Sequence, residues 1–151
     1  MPHPPPDPDF AARVRASFAR QAAMALIGAA LDAIEPGSVT IELPVRADLT
    51  QQHGFVHGGI VGMIADSAGG YAAFTLMPAD ASVLTVEYKI NLLAPAQGER
   101  LIAHGRVLKS GRTLCVARAD VYARAAGRET LIATMQQTLI VMHGVSDGPR
   151  V

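Results

Sequence analysis

The residues best suited to chemistry lie in one stretch, residues 51–66, QQHGFVHGGIVGMIAD. Its last residue, Asp66, falls in a run of small residues at helical spacing: Gly62, Asp66, Gly69/Gly70 and Ala73. A glycine inside a helix costs on the order of 1 kcal/mol against alanine. The usual compensation is close approach by another backbone or a ligand. A carboxylate on such a stripe is partly desolvated and suited to base work. The start of the stretch has a different character. His57-Gly58-Gly59 puts backbone N–H groups without an intrahelical acceptor at a helix N-terminus, where the macrodipole adds partial positive charge. Glycine admits a substrate oxygen there, so Gly58 and Gly59 suit polarising a carbonyl or holding an oxyanion. The same glycines also make an ordinary tight turn.

Gly58 and Asp66 are eight residues apart, about 12 Å along a helix axis. One helix therefore cannot set its first amide and its carboxylate within about 3 Å of one reacting centre. Two antiparallel copies could, with the small-residue stripe as their surface of approach. Catalysis by both groups thus predicts a dimer with two shared sites.

Positioning these groups requires a helix over about 58–76, stopped by Pro78, with Ile60, Met63/Ile64, Ser67, Tyr71 and Phe74 on one face. Upstream, Asp9 is placed to cap a helix from Phe10 to near Gly28, with Val14, Phe18, Ala22 and Ala25/Leu26 on its apolar face. Residues 29–34 and 38–45 flank the turn Glu35-Pro36-Gly37, and Val39, Ile41, Leu43 and Val45 alternate as in a half-buried strand. Residues 46–57 read as a loop. Downstream, strands over 82–93, 99–109, 113–124 and 129–142 have short connections, which predict an antiparallel meander. The fold class is α+β: a curved antiparallel sheet wrapped around one long central helix, with an N-terminal helix. Residues 1–9, MPHPPPDPD, are expected as a disordered tail and 143–151 as a frayed one, leaving 10–142 as a single domain.

Composition excludes several classes. The net charge is zero, no block of like charges occurs and there is no Trp, so no nucleic-acid partner is expected. One cysteine, Cys115, excludes an internal disulfide framework; set in the apolar run Leu114-Cys115-Val116-Ala117, it reads as a buried strand residue. His53, His57 and Asp66 form no recognised ligand set, so neither metal nor cofactor is expected. The richest apolar run, residues 22–34, is interrupted by Asp32 and is shorter than the ~18–20 residues of a membrane span. Arg13, Arg15 and Arg20 before it faintly imitate a signal peptide, but the acidic, proline-rich lead is not a basic n-region. A cytoplasmic protein without a membrane partner is the expectation.

His57-Gly58-Gly59 followed by Ala65-Asp66-Ser67-Ala68, after a loop containing Gly54, resembles the hotdog-fold thioesterases, specifically the PaaI-like (phenylacetic-acid-type) acyl-CoA thioesterase branch. Residues 88–96 (YKINLLAPA) and 108–113 (LKSGRT) are similar to that family's strand-and-turn pattern, and the resemblance runs from about residue 13 to 142. It implies hydrolysis of an acyl-CoA thioester. Asp66 would activate the water or attack as nucleophile, and the Gly58 amide would polarise the thioester carbonyl. It gives Gln51 a part in binding that carbonyl, with Gln52 an equally polar neighbour. Thr85 would position the water, because the family's other place for a hydroxyl, one turn after the acid, is Gly70; β-propensity alone also explains Thr85. His57 would fix the loop and lie with Gly59 beside the substrate. Lys109 and Arg112 would meet coenzyme A phosphates, an ordinary solubilising turn being the alternative. His53 receives no role. The family also implies a homodimer that often pairs into a homotetramer, and coenzyme A enters only as part of the substrate. The alternative function is a non-catalytic acyl-CoA binding or sensing module, which the presence of Asp66 argues against. A dehydratase fits poorly, because His57 and Asp66 point along one helix. The acyl group is not legible: Met63, Tyr71, Phe74 and Met77 could line its pocket or form core.

Overall fold

The structure is a computed structural model that describes residues 4–149; the outermost parts of both expected tails, residues 1–3 and 150–151, lie outside the described residues. Helix α1 spans Phe10–Ala19 and α2 spans Ala22–Ile27, so the single helix expected from Phe10 to near Gly28 is broken at Arg20-Gln21. The break has a local cause. Gln21 turns extended (φ −77°, ψ 94°), and its side chain donates to Tyr71 Oη at 3.0 Å. Asp9 sits at the N-cap position of α1 but makes no side-chain capping bond. Instead Asp7 Oδ1 accepts the Asp9 N–H at 2.9 Å. Asp7 is buried and pairs with Arg13 at 3.1 Å.

Six strands follow the two helices: β1 (Ala30–Glu35), β2 (Ser38–Pro44), β3 (Ala81–Leu92), β4 (Arg100–Ser110), β5 (Leu114–Ala125) and β6 (Arg128–His143). They form one sheet in the order β1-β2-β4-β5-β6-β3, antiparallel throughout. The expected four-strand meander therefore holds only for β4-β5-β6. β3 pairs with β6 at the sheet edge, and the connection at 94–98 is a crossing and not a hairpin. That connection runs along the ends of the strands it passes: Leu93 N–H donates to Ile132 O (2.7 Å) and Glu99 N–H to Arg124 O (2.9 Å). A short loop with proline and glycine looks the same in sequence for a hairpin and for such a crossing.

Helix α3 spans Gly58–Phe74. Being apolar nearly all round, it is buried, and it contacts β2 through β6. A Cβ on Gly105 would collide with the Ala68 carbonyl, so glycine lets β4 pass directly beneath α3. The helix ends at Phe74, before Pro78 can stop it. Arg13 caps it from α1: the guanidinium donates to Phe74 O (3.0 Å) and Met77 O (2.8 Å) and lies 4.3 Å from the Phe74 ring centroid. A cation at a helix C-terminus is favourable.

The small-residue stripe on α3 faces the chain's own sheet. Gly62, Gly69 and Ala73 are buried. Gly69 packs against Gln137 and Ala117, and Gly70 against Leu139. The stripe is thus spent within the chain and does not offer the helix-to-helix surface expected from sequence, because a six-stranded sheet must cover an all-apolar helix. The unpartnered apolar surface lies on edge strand β3 instead, where Leu84, Val86, Tyr88 and Leu92 are each at least half exposed.

Candidate active site

Two open clefts flank α3, and the candidate residues divide between them. The first, of about 440 Å³, is lined by Asp66, Gly70 and Tyr71 of α3, Val83 to Thr85 of β3, and Gln21 and Ser17 of the N-terminal segment. Asp66 is half-buried at its edge. Its Oδ1 accepts from Thr85 Oγ1 at 2.7 Å and from Gln137 Nε2 at 2.9 Å. Gln137 Nε2 also donates to the Asp66 main-chain carbonyl at 3.2 Å. Among the described residues, Asp66 Oδ2 takes no hydrogen bond. Thr85 reaches the carboxylate from a bulge, where the β3–β6 register shifts between Thr85 and Glu87. In the same cleft Tyr71 Oη lies 3.1 Å from Ser17 Oγ. Burial pushes the Tyr71 phenol above its ordinary value, against the hydrogen bonds of Ser17 and Gln21, so it is neutral near pH 7. Asp147, from the segment expected to fray, closes one side and is held by Arg20 at 2.7 Å and Ser82 Oγ at 3.2 Å.

The second cleft, of about 380 Å³, lies at the N-terminus of α3 and is lined by Gln51, Phe55, Gly58, Leu92, Pro95 and Ile132 among others. Gly58 is the first helical residue, and its N–H has no acceptor among the described residues. A Cβ at this position would come 2.7 Å from Leu92 Cδ1. His57 is the N-cap, and its Nδ1 accepts the Gly59 N–H at 2.8 Å. The Gly59 amide is therefore engaged within the chain, and the exposed His57 ring holds the turn that presents Gly58. Gln51 lines the cleft while Gln52 points to solvent, which separates two glutamines that the sequence could not rank. Gln51 Oε1 accepts the His53 N–H.

One chain thus brings Asp66 together with Thr85, and Gly58 together with Gln51, but not the two pairs with each other. Lys109 and Arg112 are exposed near the β4–β5 hairpin and line neither cleft. Among the described residues, no group of three or more His, Cys, Asp or Glu side chains could hold a metal ion, and no helix is long and apolar enough to cross a membrane. The residue that sequence reasoning missed is Gln137, only 1% exposed. Its signal was present: the period-2 alternation that turns Met135, Leu139 and Val141 inward turns Gln137 inward with them.

Comparison with known proteins bears on the family and the fold. The family model described as the thioesterase superfamily matches residues 53–129. A solved thioesterase family protein from Silicibacter pomeroyi is 53% identical, with a TM-score of 0.88 over 89% of this chain and 99% of that one. Human acyl-coenzyme A thioesterase 13 is 31% identical over 68% of this chain and 72% of its own length. A Saccharolobus solfataricus protein named an esterase is 37% identical over 83 residues, which span 55% of this chain and 59% of that protein. The PaaI protein of the E. coli phenylacetic acid degradation operon shares the fold, with a TM-score of 0.82 at 18% identity over 90% of this chain and 95% of that one.

Proposed function

The chain belongs to the thioesterase superfamily and is a thioester hydrolase of the hotdog fold, and on that premise we propose that its substrate is an acyl-CoA, cleaved at sites shared between two copies of the chain. The observation that carries this reading is the division of the candidate groups between two clefts, Asp66 and Thr85 in one and Gly58 and Gln51 in the other. Edge strand β3 supplies a way to join them. It runs past both clefts, with Thr85 in the first and Leu92 in the second. An exposed apolar edge strand invites pairing, and a two-fold axis pairs β3 antiparallel with itself. Centred on Tyr88, that pairing sets Thr85 opposite Asn91 of the partner subunit, one residue from the partner's Leu92. Thr85 bonds Asp66 and Leu92 packs on Gly58, so the first cleft of one chain would open onto the second cleft of the other.

In the shared site the thioester carbonyl accepts from the N–H of Gly58 of the partner subunit, with Gln51 of the partner subunit beside it. Water loses a proton to Asp66 as its oxygen bonds the acyl carbon. The C–S bond then breaks, the coenzyme A thiolate leaves, and the proton held by Asp66 is returned to it. Donors placed where negative charge develops on the carbonyl oxygen stabilise the transition state more than the ground state. A thiol-release assay over a panel of acyl-CoA esters, with the wild type and D66N, tests the reading. Turnover by the wild type that disappears in D66N supports it. Undiminished hydrolysis by D66N, or acyl-CoA binding without turnover in the wild type, overturns it.

A further inference from the structure

We infer that Gln137 is the positioning residue of the acid: by tying down Asp66 Oδ1 it leaves Oδ2 as the oxygen that takes the proton from water. The inference rests on the reading of Asp66 as the group that activates water. The Gln137 carboxamide is buried, and its Nε2 spans two acceptors of one residue, the Asp66 carboxylate at 2.9 Å and the Asp66 carbonyl at 3.2 Å. An ionised carboxylate and a main-chain carbonyl accept only, so the amide has one workable orientation. Flipped, it would set an oxygen against two oxygens.

That orientation has a cost. Gln137 Oε1 is buried with no hydrogen-bond partner among the described residues, and a buried acceptor without a donor is destabilising. A glutamine placed for fold stability alone would satisfy both ends, whereas this one satisfies only the end that meets Asp66. Gly69 makes the arrangement possible. A Cβ at Gly69 would collide with Oε1 and come 2.8 Å from Gln137 Cδ, so any larger residue would push the carboxamide off Asp66. Thr85 supplies the second donor to the same Oδ1 from β3. With Oδ1 accepting twice and Oδ2 not at all, the lone pairs left for the cleft belong to Oδ2. Four residues from three elements, Gly69 and Asp66 on α3, Thr85 on β3 and Gln137 on β6, therefore make one unit that sets the rotation of the carboxylate.

The test is a set of variants assayed by thiol release on one acyl-CoA, with D66N alongside. Q137L should lower kcat by about 10- to 100-fold, as misplacement of a reacting group does, while KM stays within about twofold. Q137H keeps a ring N–H and should retain more activity than Q137L. Q137E should gain activity relative to the wild type as the pH falls from about 8 to about 5, because a protonated carboxyl donates where a carboxylate repels. G69A should lower kcat in the wild-type background and add little to Q137L, since both remove the same contact. A merely structural glutamine would shift thermal stability without this pattern. Wild-type kcat in folded Q137L, a Q137E pH profile parallel to the wild type, or additive losses in G69A/Q137L would each overturn the inference. Should Q137L fail to fold, the Q137H and Q137E profiles decide. Full activity in D66N is a separate failure, because it removes the reading of Asp66 itself; loss of activity in D66N with unchanged Q137L removes only the role of Gln137.

Discussion

Two positions on α3, Asp66 at its middle and Gly58 at its start, handle polarity in opposite ways. At Asp66 the polar group is a side chain, and other side chains fix it: Thr85 from β3 and Gln137 from β6 both bond Oδ1. At Gly58 the polar group is a main-chain N–H, which has no acceptor among the described residues. His57 caps Gly59 instead, and apolar Leu92 and Ile132 share the cleft with Gly58. A proton acceptor must be oriented by its neighbours, so it comes with a hydrogen-bonded shell. A carbonyl-polarising donor must stay available, so it comes with a turn that spends every other amide. On the proposed mechanism neither position is a complete site, and about 12 Å of helix separates them.

The largest expected effect is at the acid. D66N should lower kcat by about 10²- to 10⁴-fold, the range for losing a general base, with acyl-CoA affinity preserved in a direct binding measurement. Retained turnover would remove the contrast between the two positions. Next comes the Gly58 amide, where the donor can be deleted by itself. Proline is tolerated at the first helical position, and His57 already has the extended backbone (φ −58°, ψ 136°) that a following proline requires. G58P should therefore lose about 10²- to 10³-fold in kcat with α3 intact by circular dichroism. G58A keeps the N–H and makes the same approach to Leu92, so it should lose much less; equal losses would mean that space, not the donor, matters at Gly58.

Smaller effects sharpen the comparison. T85V removes one of two donors to Asp66 Oδ1 and should lower kcat by about tenfold, equivalent to ~1.4 kcal/mol, in steady-state assays with little change in KM. Arg13 holds the C-terminal end of α3 without touching either cleft. R13A should cost about 2–3 kcal/mol in urea unfolding and leave the activity of the folded fraction unchanged. A drop in activity per folded molecule would show that the far end of α3 also tunes the site.

The contrast also explains which parts of the molecule were legible in the sequence. Gly58 and Asp66 stood out because both lie on one helix, where spacing converts directly into distance. The α+β pattern and the strand positions followed from alternation. Gln137 did not stand out, since it lies 71 positions from Asp66 and only the sheet register brings it there. The place of β3 was misread because 94–98 has the composition of a hairpin, whereas its crossing is stabilised by main-chain bonds to Ile132 and Arg124. The break between α1 and α2 carries no glycine or proline; it comes from Gln21 reaching to Tyr71, a tertiary contact. The small-residue stripe was recognised as a site of close approach, but its partner is the chain's own sheet.

Subunit mixing tests the shared site most directly. D66N and G58P, each inactive alone, are mixed in equal amounts, and subunit exchange is confirmed by mass spectrometry of tagged chains. If each site takes Asp66 from one chain and Gly58 from the other, every mixed dimer has one intact site and one doubly defective site. With half of the dimers mixed, activity should return to about a quarter of the wild type. Fully exchanged dimers with no more activity than the separate variants would contradict a site built from two chains.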